Sequence, residues 1–286
     1  MARCEVCFRR CELGEGQTGP CGARTSRGGK VVPEYYGRIS SLALDPIEKK
    51  PLMHFHPGSM ILSVGSLGCN LQCPFCQNHE IAQRGPDGRF SADTAEASPE
   101  RLAEIAEECK ARGNIGLAFT YNEPLVGYEF VRDTAKLVHG RGMVNVLVTN
   151  GTASLSVLHE IAPYIDAMNI DLKGFTDTYY RDVLKGDRQM AMRFIGEAVR
   201  LCHVELTTLI VPGENDGEGE MLELSAWVAG LTGVYGRKTG RDIPLHVTRF
   251  FPRHRMRDRR ATDVRAVYRL AEIAARNLRY VHVGNC

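Results

Sequence analysis

From residue 60 onward, short runs of apolar and β-branched residues alternate with longer windows of mixed polarity. The short runs are MILSVG (60–65), IGLAFT (115–120), VNVLVTN (144–150), AMNIDLK (167–173), VELTTLIV (204–211) and LHVTRFF (245–251). The windows between and after them, 99–112, 127–141, 153–162, 188–201, 219–232 and 262–278, read as amphipathic helices. This alternation predicts repeated strand–helix units on a parallel sheet, an α/β fold. Local signals agree: Ser98 is placed as an N-cap, Pro99 at the first helical position and Gly113 as a stop. After Thr262, residues Val264, Val267, Leu270, Ala271 and Ala274 fall along one helical face. A last run, RYVHVGN, closes or edges the sheet.

Polar residues interrupt the apolar runs mainly at their C-terminal ends, in TYNEP, TNG, DLKG and PGEND. In a parallel strand–helix barrel the loops of all strands converge at that end, so the pattern predicts a site there. Residues 31–59 break the rhythm. Their apolar content is sparse and interrupted by proline, which predicts an extended arm over the barrel with one or two short strands. His54 and His56 in that arm either cover the barrel mouth or belong to a packing strap.

Composition adds little that is unusual. With 43% hydrophobic and 24% charged residues the chain can bury a large core, which excludes disorder and fibrous folds. A net charge of +2 argues against a nucleic-acid partner or an anionic membrane surface. RFFPRHRMRDRR (249–260) is a local exception with six arginines and one acid, either a solvated loop and helix start or an anion-binding or partner-docking face. No run is long and apolar enough to span a membrane, and MARCEVCFRRCELG lacks a signal-peptide core, so a cytoplasmic location is expected.

Ten cysteines in a reducing compartment point to metal ligands or reactive thiols. Cys4, Cys7, Cys11 and Cys21 form one cluster, whose four ligands would close a zinc site or hold an auxiliary iron–sulfur cluster. A second, GCNLQCPFCQNHEIAQ, holds Cys69, Cys73 and Cys76. Three thiolates bind three irons of a 4Fe-4S cluster and leave the fourth iron open to another ligand. The competing reading is a zinc site completed by His79, and both stand on spacing alone.

The spacing Cys69-x3-Cys73-x2-Cys76, with aromatic Phe75 before the third cysteine and a strand before the first, resembles the signature of the radical S-adenosylmethionine (SAM) superfamily. Within it the chain is similar to the pyruvate formate-lyase activating enzyme group. More closely, DPIEKKPLMHFHPGS, GCNLQCPFCQNHEIAQ, AFTYNEP, NIDLKGF and RFFPRHRM resemble the radical SAM member of the AmmeMemoRadiSam system, encoded alongside AMMECR-type and Memo-type proteins. That resemblance implies a partial (β/α)6 TIM-like barrel over residues 60–286, preceded by a cysteine-rich metal-binding segment at 1–30. It implies an oxidoreductase that reductively cleaves SAM at a 4Fe-4S cluster to a 5′-deoxyadenosyl radical for hydrogen abstraction. The substrate is an unidentified protein or small molecule. A glycyl-radical enzyme activase is the alternative; a non-catalytic adaptor or electron carrier is another.

Further residues follow from the same likeness. Family members carry a Gly-Gly-Glu-Pro-like turn that holds the SAM amino group; Tyr121, Asn122, Glu123 and Pro124 stand there, without the glycines. Glu123 is either that acceptor or a helix cap, and Asn122 offers both donor and acceptor. Asn150 is placed for ribose or the SAM carboxylate. Asp171 and Lys173 are either SAM contacts or a structural ion pair. Asn215 or Asp216 approaches the adenosine, and His246 and Arg249 point toward substrate or SAM, with a satisfied core role competing for His246. The implied partners are an external electron donor of flavodoxin or ferredoxin type and the Memo-type and AMMECR-type proteins.

Overall fold

A computed structural model describes all residues, Met1–Cys286. The central sheet has eight strands: β1 (Ser41–Pro46), β2 (Met60–Gly65), β3 (Asn114–Phe119), β4 (Val144–Thr149), β5 (Ala167–Asp171), β6 (His203–Ile210), β7 (Leu245–Arg249) and β8 (Val281–Gly284). They lie side by side in chain order. Pairing from β2 to β8 is parallel throughout, and only β1 joins antiparallel, on the edge of β2. Six helices follow the parallel strands: α1 (Pro99–Glu108), α2 (Tyr128–Gly140), α3 (Leu155–Ile161), α4 (Arg188–Leu201), α5 (Glu218–Ala229) and α6 (Val264–Ala274). Each strand adds to the same side of its predecessor, and right-handed crossovers then put every helix on one face. β1 and β8 are left as free edges, so the result is a partial barrel of six strand–helix units plus a final strand.

The period-two alternation of strands explains the apolar runs. One set of side chains, including Leu62, Val64, Leu117, Phe119, Leu147, Met168, Ile170, Leu206 and Val247, enters the main core with the apolar stripes of the helices. The alternate set is smaller or polar: Ser63, Ala118, Val146, Ala167, Asn169, Glu205 and Thr207. Predicted strand limits hold within a few residues. The 99–112 window ends in a separate tight turn, Cys109–Arg112, before Gly113 at φ +83°.

The arm takes the second of its two expected roles. Its middle pairs with β2 as the edge strand β1, and from Ile47 on it crosses the N-terminal ends of the strands, opposite the predicted site, as a packing strap. Ile47 and Leu52, both fully buried, fill the bottom of the barrel against Ile61, Ala118, Val146 and Ala167. Glu205, at 0% exposure, accepts from the backbone N–H groups of Met53 (3.0 Å) and His54 (2.7 Å). His203 and His246 donate Nε2–H to the same carboxylate at 3.0 and 2.7 Å. His54 also meets His282 of β8 at 2.9 Å. His246 therefore belongs to the closed end and faces neither substrate nor SAM. The reason is parity and position: it starts β7 beside an acid that must be paired once buried. Arg249 is also spent elsewhere, donating to the Thr262 carbonyl and covering Phe251.

Burial would raise the pKa of Glu205, but its four hydrogen bonds outweigh this and hold it well below the usual carboxylate range. Such stabilisation is complete above the unfolded-state pKa of about 4.3 and is lost as pH falls toward the folded value. Replacing Glu205 by Gln should lower stability by about 2–3 kcal/mol at pH 7. Urea unfolding at pH 7 and at acid pH checks this: the difference between the two proteins should shrink on acidification.

Candidate functional site

The loop after β2 turns sharply at Gly68, whose φ is +94°. A Cβ there would lie 2.7 Å from both the Ala23 Cβ and the Cys21 carbonyl, so only glycine lets the loop reach the N-terminal segment. The next residue, Cys69, donates its N–H to that Cys21 carbonyl at 3.2 Å. Gln72 donates to the Leu184 carbonyl at 2.9 Å, fixing the loop to the π-type turn Tyr179–Val183. Phe75 packs edge-on against Phe250 at 6.2 Å. Cys69, Cys73 and Cys76 thus lie on one loop, Cys73 buried and the other two half-buried, with neighbouring thiols near enough to raise the pKa of Cys69 and Cys73. Burial is the largest effect on all three, and Cys73 rises to about 12 although Lys173 opposes the shift.

A polar network joins this loop to the ends of β3 and β4. Glu123, 2% exposed, accepts from the Thr149 hydroxyl at 2.7 Å and the Asn150 N–H at 2.7 Å. It also caps the turn Pro124–Gly127 by accepting from Leu125 at 3.1 Å. Burial raises its pKa to about 7 against these bonds. Asn150 donates to Asn70 Oδ1 at 2.9 Å and points the same Nδ2 at the Cys69 sulfur, 3.7 Å away. Asn70 in turn donates to Thr152, while Asn122 donates to Ser66 and the Gly68 carbonyl. Tyr121 keeps φ at +74°, the left-handed backbone that a glycine favours, and anchors it by donating to Asp45 at 2.9 Å. Lys50, 2% exposed, pairs with Asp45 and lies 4.9 Å from the Tyr121 ring centre.

Lys173 and Asp171 form an ion pair of 2.9 Å at the end of β5. Its side chains are 17% and 31% exposed, and Lys173 acts electrostatically on Cys73 and Cys76. Asn215 is different: its amide is spent on the backbone, accepting from Val211 and donating to Lys173 and Leu209 carbonyls. It thereby ties the β5 and β6 loops together. Asp216 likewise accepts from the Gly213 N–H at 3.0 Å.

The family profile described as the Radical SAM superfamily matches residues 63–225, more than half of the chain. The chain belongs to the radical SAM superfamily. A curated relative, the uncharacterized protein MJ0808 of Methanocaldococcus jannaschii, is 36% identical over 285 residues, covering 99% of this chain and 81% of the relative. Solved structures resemble it in fold. QueE from Escherichia coli matches with a TM-score of 0.54 and 12% identity over 87% of this chain and 93% of QueE. SuiB from Streptococcus suis, bound to S-adenosylmethionine, gives 0.58 and 14% over 79% and 52%. A domain of pyruvate-formate lyase-activating enzyme from Bacteroides vulgatus gives 0.50 and 17% over 59% and 99%.

Membership implies a 4Fe-4S cluster and SAM, and the radical SAM chain offers donors suited to both. Three thiols on one buried loop are the donor set for three irons. No three His, Cys, Asp or Glu side chains are gathered as a ready cage for a single ion. The Tyr179 hydroxyl is buried without a partner, and its pKa responds to Cys73 and Lys173, so a polar partner is wanting beside those residues. Lys173 is the cation placed to balance thiolates or a carboxylate. Asn70, Thr149, Thr152 and Tyr179 were not singled out in the sequence. The asparagine inside GCN and the threonines flanking Asn150 were the available signals.

The N-terminal cysteines lie beside this loop. Cys4, Cys7, Cys11 and Cys21 line one small cavity with Arg9 and Arg24. Arg9 donates to the Asn70 carbonyl at 2.9 Å, and Arg24 pairs with Glu129 of α2 at 2.7 Å. The segment is thereby tied to the barrel's C-terminal end. No membrane-length apolar helix occurs in the chain.

Replacing Gly68 by Ala should strain the turn by about 1–3 kcal/mol and push the cysteine loop off Cys21 and Ala23. The barrel should still fold by circular dichroism, while iron bound after anaerobic reconstitution falls well below the wild-type amount.

Proposed function

We propose that this chain is a radical SAM enzyme of the AmmeMemoRadiSam type, abstracting hydrogen from a protein or small-molecule substrate not yet identified. The observation that carries the reading is the cysteine loop after β2 lying beside Lys173 and Asp171 at the end of β5 and Glu123 after β3. A bound cluster and SAM would supply one-electron reductive cleavage of the sulfonium C–S bond, and with it the 5′-deoxyadenosyl group that abstracts a substrate hydrogen. The residues supply the rest. Cys69, Cys73 and Cys76 would hold three irons and Lys173 a carboxylate as a point charge, while Asn150 with Asn70 fixes the loop. Glu123 retains an acceptor position on Oε2 for an ammonium. Burial of Cys73 and the Glu123 carboxyl would help to keep water from a reactive intermediate.

A glycyl-radical activase would share this initiation chemistry, and Tyr121–Asn122 in place of the double glycine weighs against it. A non-catalytic adaptor would leave the strand-end acids and Lys173 without a common purpose. For the four N-terminal thiols we favour a single zinc ion, because four cysteine ligands close a tetrahedral structural site. The thiols would have to turn inward to close on it. An external one-electron donor is required, and Memo-type and AMMECR-type proteins are the proposed partners.

Anaerobically reconstituted protein, reduced in the presence of SAM, should release 5′-deoxyadenosine. Its absence from cluster-loaded protein would sink the radical reading. Lys173→Met should slow release by at least about tenfold, the worth of one lost charge-assisted contact. Replacing Cys69, Cys73 and Cys76 together by Ala tests the N-terminal site by metal analysis. Retention of about one zinc supports the single-ion site, and about four irons would indicate a second cluster.

A further inference from the structure

The arginine-rich run after β7 packs directly on the cysteine loop. Arg255 donates its backbone N–H to the Pro74 carbonyl at 2.8 Å. The His254 ring stacks on His79, with centroids 4.3 Å apart. Phe250 and Met256 share a buried group with Leu71, Cys73 and Phe75. The apolar side chains and backbone of the run therefore grip the loop, while its cations face out. Arg249 and Arg259 are engaged, the latter with Pro212 and Glu214. Arg253, Arg255, Arg257 and Arg260 are exposed, and none of their side chains forms a hydrogen bond or ion pair within the chain.

Four unpaired guanidinium groups on a short loop repel one another, and nearby acids offset them only in part. Asp258 is exposed within the run and Glu80 on the helical turn His79–Ala82. Phe251, 44% exposed beneath the Arg249 guanidinium, adds an apolar anchor at the edge of the patch. Arginine and aromatic side chains together are the usual strong points of a protein interface. The overall charge of +2 does not account for such a patch, so the field is local.

Resting on the radical reading, we infer that this loop is the docking face for an acidic one-electron carrier protein. The carrier loses one electron and the cluster gains it, and no bond or proton moves. Docking here places the carrier against the element that touches Pro74, Phe75 and His79, where the path to the three thiols is short. Electrostatic steering brings the negative face of the carrier to the arginines and makes association sensitive to salt.

The test compares reconstituted holoenzyme with its Arg253→Gln, Arg255→Gln, Arg257→Gln, Arg260→Gln variant, using an acidic low-potential ferredoxin as the probe. A second variant, with Arg112, Lys136, Arg193 and Arg276 changed to Gln, removes the same charge from the helical layer. Binding is followed by surface plasmon resonance over a salt series, and cluster reduction by electron paramagnetic resonance after mixing with reduced ferredoxin. The loop variant should bind and be reduced about tenfold or more weakly and slowly, with a flatter salt dependence. Photoreduced deazaflavin should reduce all three proteins alike, and the helical-layer variant should match wild type with ferredoxin. Wild-type ferredoxin kinetics in the loop variant would overturn the proposal, as would equal impairment of both variants. If the loop variant keeps those kinetics but loses binding of a poly-glutamate peptide, the face serves an acidic polypeptide instead and the proposal falls. Failure of the radical reading shows separately, as no 5′-deoxyadenosine from deazaflavin-reduced wild type with SAM.

Discussion

The constraint on which everything else rests is that seven consecutive strands pair in parallel and in chain order, each on the free edge of the last. Right-handed connections then force all helices outward and all strand C-termini to one end. Loops distant in sequence are brought face to face without any dedicated long-range contact. The cysteine loop after β2 meets the Asn150 loop after β4 and the Lys173 loop after β5 for this reason. The cost of the same arrangement is a barrel that does not close, with an open seam and an open bottom.

The strap deals with the bottom. Apolar burial alone would not fix its course, since Ile47 and Leu52 could satisfy the hydrophobic effect in several registers. The Glu205 carboxylate supplies direction, because a buried charge must find donors at definite places. Two backbone N–H groups of the strap and two histidines on β6 and β7 meet that demand. His54 carries the link on to β8, so strap and final strand share one polar clasp. The closed end is thus held by hydrogen bonds, which leaves the opposite end free to be shaped by loops.

Strands and helices are legible because the strand faces and the helix stripes that meet in the core are apolar, a pattern that depends on the residues of one element alone. The cysteine triad was legible for a similar reason, since its spacing is local. The position of the arm was not. Nothing in MHFHPG says which end of the barrel it reaches; that information sits in Glu205, an acid inside the otherwise apolar run VELTTLIV. An acid there required partners, and His203, His246 and His54 were available in the chain. Asn215 shows the converse: an amide at a strand end reads as a ligand contact, and the three backbone groups it serves in the fold include the Lys173 carbonyl, on a loop that its own sequence neighbourhood does not reveal. Tyr121 shows the backbone outlasting the residue type, with a left-handed φ kept where the family turn has glycine.

The two thiol groups also share an electrostatic logic. Burial pushes the thiols of Cys7, Cys21, Cys69 and Cys73 upward, so in the metal-free chain they are neutral and burial costs little charge. Binding metal reverses this, since each ligand must give up its proton where water is scarce. Each group has a cation beside it that opposes the upward shift: Lys173 acts on Cys73 and Cys76, Arg9 on Cys11 and Arg24 on Cys21. Neither arginine is free to wander, because Arg24 is locked to Glu129 and Arg9 to the backbone of Asn70. The Arg9 bond joins the N-terminal cavity to the cysteine loop, as does the hydrogen bond from Cys69 to Cys21. The N-terminal segment and the loop are therefore joined through the backbone at Cys21, Cys69 and Asn70.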